Sequence, residues 1–395
     1  MSPVLNNSVN IAVVTGSRAD YGLLKPVMQA LSNHPLFRLR VIVTGMHLAA
    51  EFGNTWQTIE QDGFTVDAKV PMLQAENDTV GVTKSLGTGI IGFADTLSRL
   101  QPDLLLVLGD RFEIFAAVQA ALVAKIPVAH IAGGDTTEGA FDESIRHSIT
   151  KMAHLHFTTN EQARQRVVQM GENPAAVFNV GSPGIDHIRA LNLSDKPALS
   201  ATLGIPLLQR LLVLTLHPAT LDPMPVAQQC DILFTALETF TPNTTFLFTY
   251  ANADTDGKTI NALIDAYTAQ HANAHAFASL GQQGYYSAVA CADAVIGNSS
   301  SGLYEAPSLG TATVNIGMRQ QGRMKAASVI DCSWNIAEIR SAIQQAINTD
   351  MSNVINPYGD GHSTEKIIQA LEHVSTQTSL PGLIQKHFFM QAGHQ

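Results

Sequence analysis

Short runs of apolar and β-branched residues recur along the whole 395-residue chain, each closed by a glycine or polar turn and followed by a longer amphipathic segment. Such runs become parallel strands, and the segments between them become helices that cover both faces of a sheet. The first half predicts strands near Ile11 to Thr15, Leu39 to Thr44, Leu104 to Leu108, Val128 to Ile131, Leu155 to Thr158 and Val177 to Val180. A polar, proline-bounded stretch from Ser194 to Pro206 interrupts the pattern. It restarts with strands near Leu211 to Leu216, Thr245 to Thr249, His275 to Ala278, Ala294 to Ile296, Thr313 to Ile316 and Ser328 to Ile330. The expected fold class is α/β, with two doubly wound Rossmann-like domains over residues 1–195 and 196–375 and a helical tail over 376–395. Ligands of open parallel sheets sit at the carboxyl ends of strands, so two such sheets facing each other would enclose a central cleft. Polar motifs fall at those ends: Gly16-Ser-Arg18, Gly45-Met-His47, Gly109-Asp-Arg111, Gly133-Gly-Asp135, Leu216-His217-Pro218, Gly297-Asn-Ser299 and Gly317-Met-Arg319.

Charge narrows the function. The chain carries 23 basic against 33 acidic side chains, a net charge of −10, which excludes a general nucleic-acid binder while leaving room for a small anion held by a few local cations. Cys230, Cys291 and Cys332 are far apart and lack CxxC spacing, so neither a disulfide framework nor a zinc site is expected and a reducing cytoplasm fits. The first ten residues hold no signal-peptide pattern, and no apolar run is long enough to span a membrane.

The turn Gly297-Asn-Ser299-Ser300-Ser301-Gly302 follows a strand and opens a short helix. Its small residues and N–H groups can seat an anion, and Glu305 behind them can accept two hydrogen bonds from a ribose diol; the alternative is a serine-rich helix cap. Thr15-Gly-Ser-Arg18 lacks the GxGxxG spacing of a dinucleotide site, and Leu303 stands where a P-loop needs Lys. Arg18, at the end of the first strand, suits a diphosphate. Asp110 emerges from the five-residue apolar run Leu104 to Leu108 and is either a general acid or base or an N-cap for the helix starting at Phe112. Between His130 and His147 stand Asp135, Glu138, Asp142, Glu143 and Arg146, of which Asp142 and Arg146 form an i,i+4 pair. His154 and His156 share a strand face without a third metal ligand and are read as packed core histidines, and no metal site is expected. His217 at a strand end can bind phosphate or move a proton.

Taken in order, Thr15-Gly-Ser-Arg-Ala-Asp-Tyr-Gly22, Thr44-Gly-Met-His-Leu48, Leu108-Gly-Asp-Arg111, Arg146-His-Ser-Ile-Thr-Lys151, Gly297-Asn-Ser-Ser-Ser-Gly302 and Asn356-Pro-Tyr-Gly-Asp-Gly361 make the chain resemble the hydrolysing UDP-N-acetylglucosamine 2-epimerases of bacterial sialic acid synthesis. The resemblance covers nearly the whole length. It implies a GT-B fold with UDP held mainly by the second domain, and release of UDP and N-acetylmannosamine through a glycal that is then hydrated. It places Arg18, Ser299, Ser300 and Glu305 on the nucleotide, Asp110 and Asp142 in the sugar pocket as catalytic carboxylates, and His217 near the diphosphate. Where some members carry Glu two residues after the strand histidine, this chain has Ala132; either Asp135 supplies that carboxylate or the site works with one fewer. Close relatives act on UDP-diacetylbacillosamine in legionaminic acid synthesis, the second substrate considered. A GT-B glycosyltransferase and a regulatory nucleotide-sugar binding protein are the rivals from other classes. A cytoplasmic homo-oligomer, dimer or tetramer, without a cofactor and serving surface polysaccharide synthesis is expected.

Overall fold

The structure, a computed structural model, describes residues 8–50, 53–74, 79–136, 142–218, 224–251, 257–377 and 380–390. The chain divides into two compact units, residues 1–187 with 358–395 and residues 188–357.

The first unit holds seven strands: β1 (Val9–Thr15), β2 (Phe37–Thr44), β3 (Val66–Val70), β4 (Leu104–Leu108), β5 (Val128–Ile131), β6 (Leu155–Thr158) and β7 (Val177–Asn179). They form one parallel sheet in the order β3-β2-β1-β4-β5-β6-β7. Alternation sets the two faces. Ile11 and Val13 of β1 and Leu104 and Leu106 of β4 enter one core, while Ala12, Val14, Leu105 and Val107 enter the opposite one. Both faces are therefore apolar, which is why these runs lack polar alternation.

The second unit repeats the plan with β8 (Arg210–Thr215), β9 (Thr244–Thr249), β10 (Ala274–Phe277), β11 (Ala294–Gly297), β12 (Thr313–Ile316) and β13 (Val329–Cys332), in the parallel order β10-β9-β8-β11-β12-β13. Leu212 and Leu214 face one core, Leu211 and Val213 the other. Each sheet thus reverses its strand order once near the middle, between β1 and β4 and between β8 and β11. Those reversal points are where open sheets bind ligands.

The architecture is that of two Rossmann-like units, with two corrections to the sequence reading. Strand β3 lies at the sheet edge and is half polar, with Asp67 accepting from Arg40 Nη1 at 2.7 Å and from the Val41 N–H at 2.8 Å; its Val-Asp-Ala-Lys-Val sequence lacks the apolar run of its neighbours. The second correction concerns the C-terminal segment. Helix Ser363–Gln377 belongs neither to the second unit nor to a separate tail, because it buries Ile367, Leu371 and Val374 in the first unit's core beside Leu24 and Met28. Asp186 caps it from a distance, accepting from the N–H groups of Ser363 (2.9 Å) and Thr364 (2.6 Å). Among the described residues no helix is long and apolar enough to cross a membrane.

Candidate active site

The reversal point of the first unit is charged. Asp110 leaves the end of β4, and its carboxylate forms an ion pair with Arg146 on helix Asp142–Met152. The N-cap role is not what it performs: helix Phe112–Val123 has Arg111 at its N-cap position, with no side-chain cap bond. Arg146 is almost fully buried. Besides Asp110 it bonds the Asp135 carbonyl through Nη1 at 2.6 Å and pairs with Glu143 at 3.7 Å. The expected i,i+4 partner, Asp142, is left with a through-space attraction to Arg146 and no hydrogen-bond partner for its carboxylate among the described residues. Burial raises its pKa above the ordinary carboxylate value, the nearby Asp110 charge adds to this, and Arg146 and Arg111 oppose it. Two neighbouring carboxyl groups thus differ, one paired with a guanidinium and one unpaired and reluctant to ionise.

Asp135 is turned elsewhere. Its carboxylate accepts from Thr159 Oγ1 at 2.8 and 3.0 Å and from Asn160 Nδ2 at 3.2 Å, bracing the residue that caps helix Glu161–Gln169. Ala132 has φ +64°, a left-handed conformation that costs a residue with a β-carbon about 1–2 kcal/mol. Glu138 lies outside the described residues. Arg18 is the exposed first residue of helix Arg18–Asn33, at the end of β1.

Three further groups shape this region. Glu113 is fully buried and accepts from Arg111 Nη2 at 2.8 Å, while its other oxygen has no partner. Its side chain passes so close to Gly45 that a β-carbon there would lie 2.9 Å from Cγ, so only glycine, with φ +54°, fits the turn. Asp20, also buried, accepts from the Gly16 N–H at 3.3 Å, and burial raises its pKa. Beneath the β4 turn, His130 lies 2.8 Å from the Gly109 carbonyl; burial lowers its pKa to about 3, so the ring is neutral and donates from Nε2. In sequence Glu113 reads as an ordinary acid in the first turn of a helix, and nothing there marks its burial. His47 is similarly fixed, between the hydroxyls of Thr15 (3.0 Å) and Thr55 (2.7 Å). The core reading of His154 and His156 holds: His154 Nδ1 accepts from the Val128 N–H at 3.2 Å, and His156 Nε2 lies 3.1 Å from buried Glu172.

The second unit's reversal point is built from amides and hydroxyls. Asn298, one residue past β11, accepts from the His217 N–H at 2.7 Å and donates to the His217 carbonyl at 2.8 Å, joining the ends of β8 and β11. Its own carbonyl accepts from Arg319 Nη1 at 3.0 Å and Gln320 Nε2 at 2.8 Å, which brings in the turn after β12. Gly297 is obligatory, since a β-carbon would sit 1.9 Å from the Thr215 carbonyl. Within the turn, Ser299 Oγ accepts from the Ser301 N–H at 3.4 Å, and the N–H groups of Gly302 to Glu305 bond back along the short helix Ser301–Tyr304. The N–H groups of Ser299 and Ser300 have no acceptor among the described residues.

Glu305 directly follows the short helix Ser301–Tyr304 that this turn opens. Burial raises its pKa to about 7, the Ser301 hydroxyl beside it opposes this in part, and the same hydroxyl neighbours that of Tyr285. A carboxyl group, a serine hydroxyl and a phenol are thus gathered beside the turn.

A family model described as UDP-N-acetylglucosamine 2-epimerase matches residues 29–372. The chain is 38% identical over 326 residues to the "GDP/UDP-N,N'-diacetylbacillosamine 2-epimerase (hydrolyzing)" of Campylobacter jejuni, covering 82% of this chain and 84% of the relative. It is 39% identical over 338 residues to the Escherichia coli "Polysialic acid biosynthesis protein P7", covering 86% and 85%. Among solved structures, that of the Neisseria meningitidis UDP-GlcNAc 2-epimerase bound to UDP-GlcNAc superposes with a TM-score of 0.74 over 92% of this chain and all of that one; at 20% identity this likeness speaks for the fold.

Proposed function

The chain belongs to the UDP-N-acetylglucosamine 2-epimerase family, and we propose that it hydrolyses UDP-N-acetylglucosamine to UDP and N-acetylmannosamine. The observation that carries the mechanism is the contrast between Asp110, neutralised by Arg146, and Asp142, unpaired and holding its proton more firmly than a solvated carboxyl group. Elimination removes the C2 proton as the C1–O bond to UDP breaks, leaving a glycal. Hydration then adds a proton to C2 from the opposite face and the hydroxyl of a water to C1, the water's other proton passing to a carboxylate base. One carboxylate must take a proton and an acid must give one, and groups whose environments differ in this way suit those two tasks. Asp142 is assigned the proton-donating role and Asp110 the basic one, with Arg146 holding Asp110 in place. Asp135 positions the loop.

On the nucleotide side, the Ser299 and Ser300 N–H groups are assigned to phosphate oxygens, with Ser301 and Gly302 shaping the turn, and Glu305 to the ribose diol. His217, fixed through its backbone by Asn298, is assigned to the diphosphate. Arg18, at the end of β1, is assigned to an anionic group of the substrate. The free thiols Cys230, Cys291 and Cys332 support a cytoplasmic setting.

Incubation with UDP-N-acetylglucosamine in heavy water tests the reading. Free UDP should appear without any sugar acceptor, and the released N-acetylmannosamine should carry deuterium at C2. A required acceptor would indicate a glycosyltransferase, and product that keeps its original C2 hydrogen would exclude elimination. A second substrate, UDP-N,N'-diacetylbacillosamine, is favoured by the name of the 38% identical relative. Parallel incubation with the two sugars, compared by kcat/KM, decides between them.

A further inference from the structure

Helix Asp142–Met152 carries Asp142 and Arg146 near its start, yet apolar packing holds it only lightly. Its buried residues are Arg146, Ile149 and Thr150, of which Ile149 alone is apolar. Its place in the first unit therefore depends on polar fastenings, and these gather at its far end. Lys151 in the last turn donates through Nζ to the Met170 carbonyl at 2.9 Å and to Glu172 Oε1 at 2.5 Å. The second fastening comes from a remote part of the chain. Lys386, 235 positions after Lys151, donates through Nζ to the carbonyls of Lys151 and Ala153, both at 2.7 Å, and pairs with Glu172 Oε2 at 2.7 Å.

The last carbonyls of a helix have no partner within it and carry its partial negative charge, so an ammonium group placed there is favourable on both counts. The three contacts of Lys386 use all three of its N–H bonds. Glu172, 2% exposed, anchors the other side. Burial works against its carboxylate, but hydrogen bonds from His156, Lys151 and Lys386 hold its pKa down at about 2, so it stays ionised. The segment does not need Lys386 to stay in place. Leu380 is buried in the first unit's core, the Phe389 N–H donates to the Gly171 carbonyl at 2.8 Å, and the Phe388 ring lies so close to Gly171 that no β-carbon could be added there. What Lys386 adds is a grip on the helix end. The 11 residues of that helix make a stiff rod of about 16 Å, which carries a shift at one end to the other, while Asp110 stays with β4.

We propose that Lys386 is a positioning residue for the reaction: by capping the C-terminal end of helix Asp142–Met152 it sets where Asp142 and Arg146 stand relative to Asp110. The inference rests on the roles assigned to those groups above.

Steady-state kinetics with the faster of the two UDP sugars tests it, with far-UV circular dichroism confirming that each variant is folded. Lys386→Met keeps the stem and removes the donors. Its kcat should fall at least about tenfold, within the reach of a misplacement of about 1 Å, while KM and calorimetric affinity for UDP stay unchanged. Lys386→Arg can still donate to both carbonyls and should regain most of the loss; Lys386→Gln, the milder change, should lose less than Lys386→Met and again in kcat only. Leu380→Ala controls for stability, because it empties a buried position of the same segment without touching the helix end. It should lower the melting temperature and leave kcat unaltered well below melting. An undiminished kcat in Lys386→Met, no rescue by Arg, or an equal loss in Leu380→Ala would each overturn the proposal. Asp142→Asn run in parallel separates it from the reading beneath it: full turnover there refutes the role of Asp142 itself, whereas loss there beside an unimpaired Lys386→Met refutes only the positioning role.

Discussion

The two units share one strand plan and place opposite chemistry on it. At the reversal point of the first, Asp110, Arg111, Glu113, Asp20, Asp142 and Arg146 crowd together, and the turns are fixed by ion pairs and buried carboxyl groups. At that of the second, Asn298 joins the β8 and β11 ends through its side-chain amide and the turn after β12 through its carbonyl, and Glu305 is a buried carboxyl group beside the Ser301 hydroxyl. In the first network burial raises the pKa of Asp20 and of Asp142, which suits a group that must hold a proton before giving it. The second network is one of amides and hydroxyls with the Arg319 guanidinium on the Asn298 carbonyl, fixed donors and acceptors of the kind the nucleotide assigned to it requires. The end assigned to reaction and the end assigned to binding thus differ in the residues at their strand ends while sharing one fold.

The largest expected effect tests the reacting end. Asp142→Asn should lower UDP release by at least about a hundred-fold while calorimetric affinity for UDP stays unchanged, as for loss of a general acid–base group. Asp110→Asn should do the same and in addition lower the melting temperature, because Arg146 is buried and loses its partner. Loss of UDP affinity in both variants would erase the division of labour between the units.

The binding end should respond in the opposite sense. Glu305→Ala is expected to weaken UDP binding by about ten- to a hundred-fold, the worth of charge-assisted hydrogen bonds of about 1.5–3 kcal/mol, with kcat at saturating substrate little altered. An unchanged titration would remove Glu305 from the ribose.

Acidity sharpens the contrast. In the free protein Glu305 titrates near 7 because it is buried, and a diol that donates to the carboxylate favours the anion. Binding therefore releases a proton wherever the free group is protonated. Affinity for UDP should be flat above about pH 8 and fall as the pH drops below about 7, approaching tenfold per unit. Glu305→Gln should flatten that profile.

The smallest effect is expected at Asp135. With its carboxylate occupied by Thr159 and Asn160, Asp135→Asn should cost turnover no more than about tenfold, consistent with hydrogen bonds of about 0.5–1.5 kcal/mol. A hundred-fold loss would place Asp135 among the catalytic groups and make up for the carboxylate missing at Ala132.

Central strands were legible because burial on both faces leaves no polar residue in runs such as Leu104 to Leu108. Strand β3 was not, since an edge strand meets solvent along one side and tolerates Asp67 and Lys69. Glycine-bearing motifs marked strand ends, among them those of β1, β4 and β11 that the strand order places at the reversal points, because a tight turn there needs residues such as Gly297. What those motifs could not convey is which side chains meet across the fold. Arg146 reads as a helical partner of Asp142 and instead pairs with Asp110, 36 positions away. Glu305 takes its raised pKa from burial in a region it shares with Tyr285 of helix Gly281–Cys291, which no spacing announces.

The helix Ser363–Gln377 that returns to the first unit has a consequence for biosynthesis. Residues 188–357 are an insertion in a unit whose core is completed only by Ile367, Leu371 and Val374. As the chain leaves the ribosome, the second unit has all its strands before the first has its last helix. The half assigned to the nucleotide can therefore mature early, while the half assigned to catalysis waits for residues 363–377 with an apolar flank uncovered.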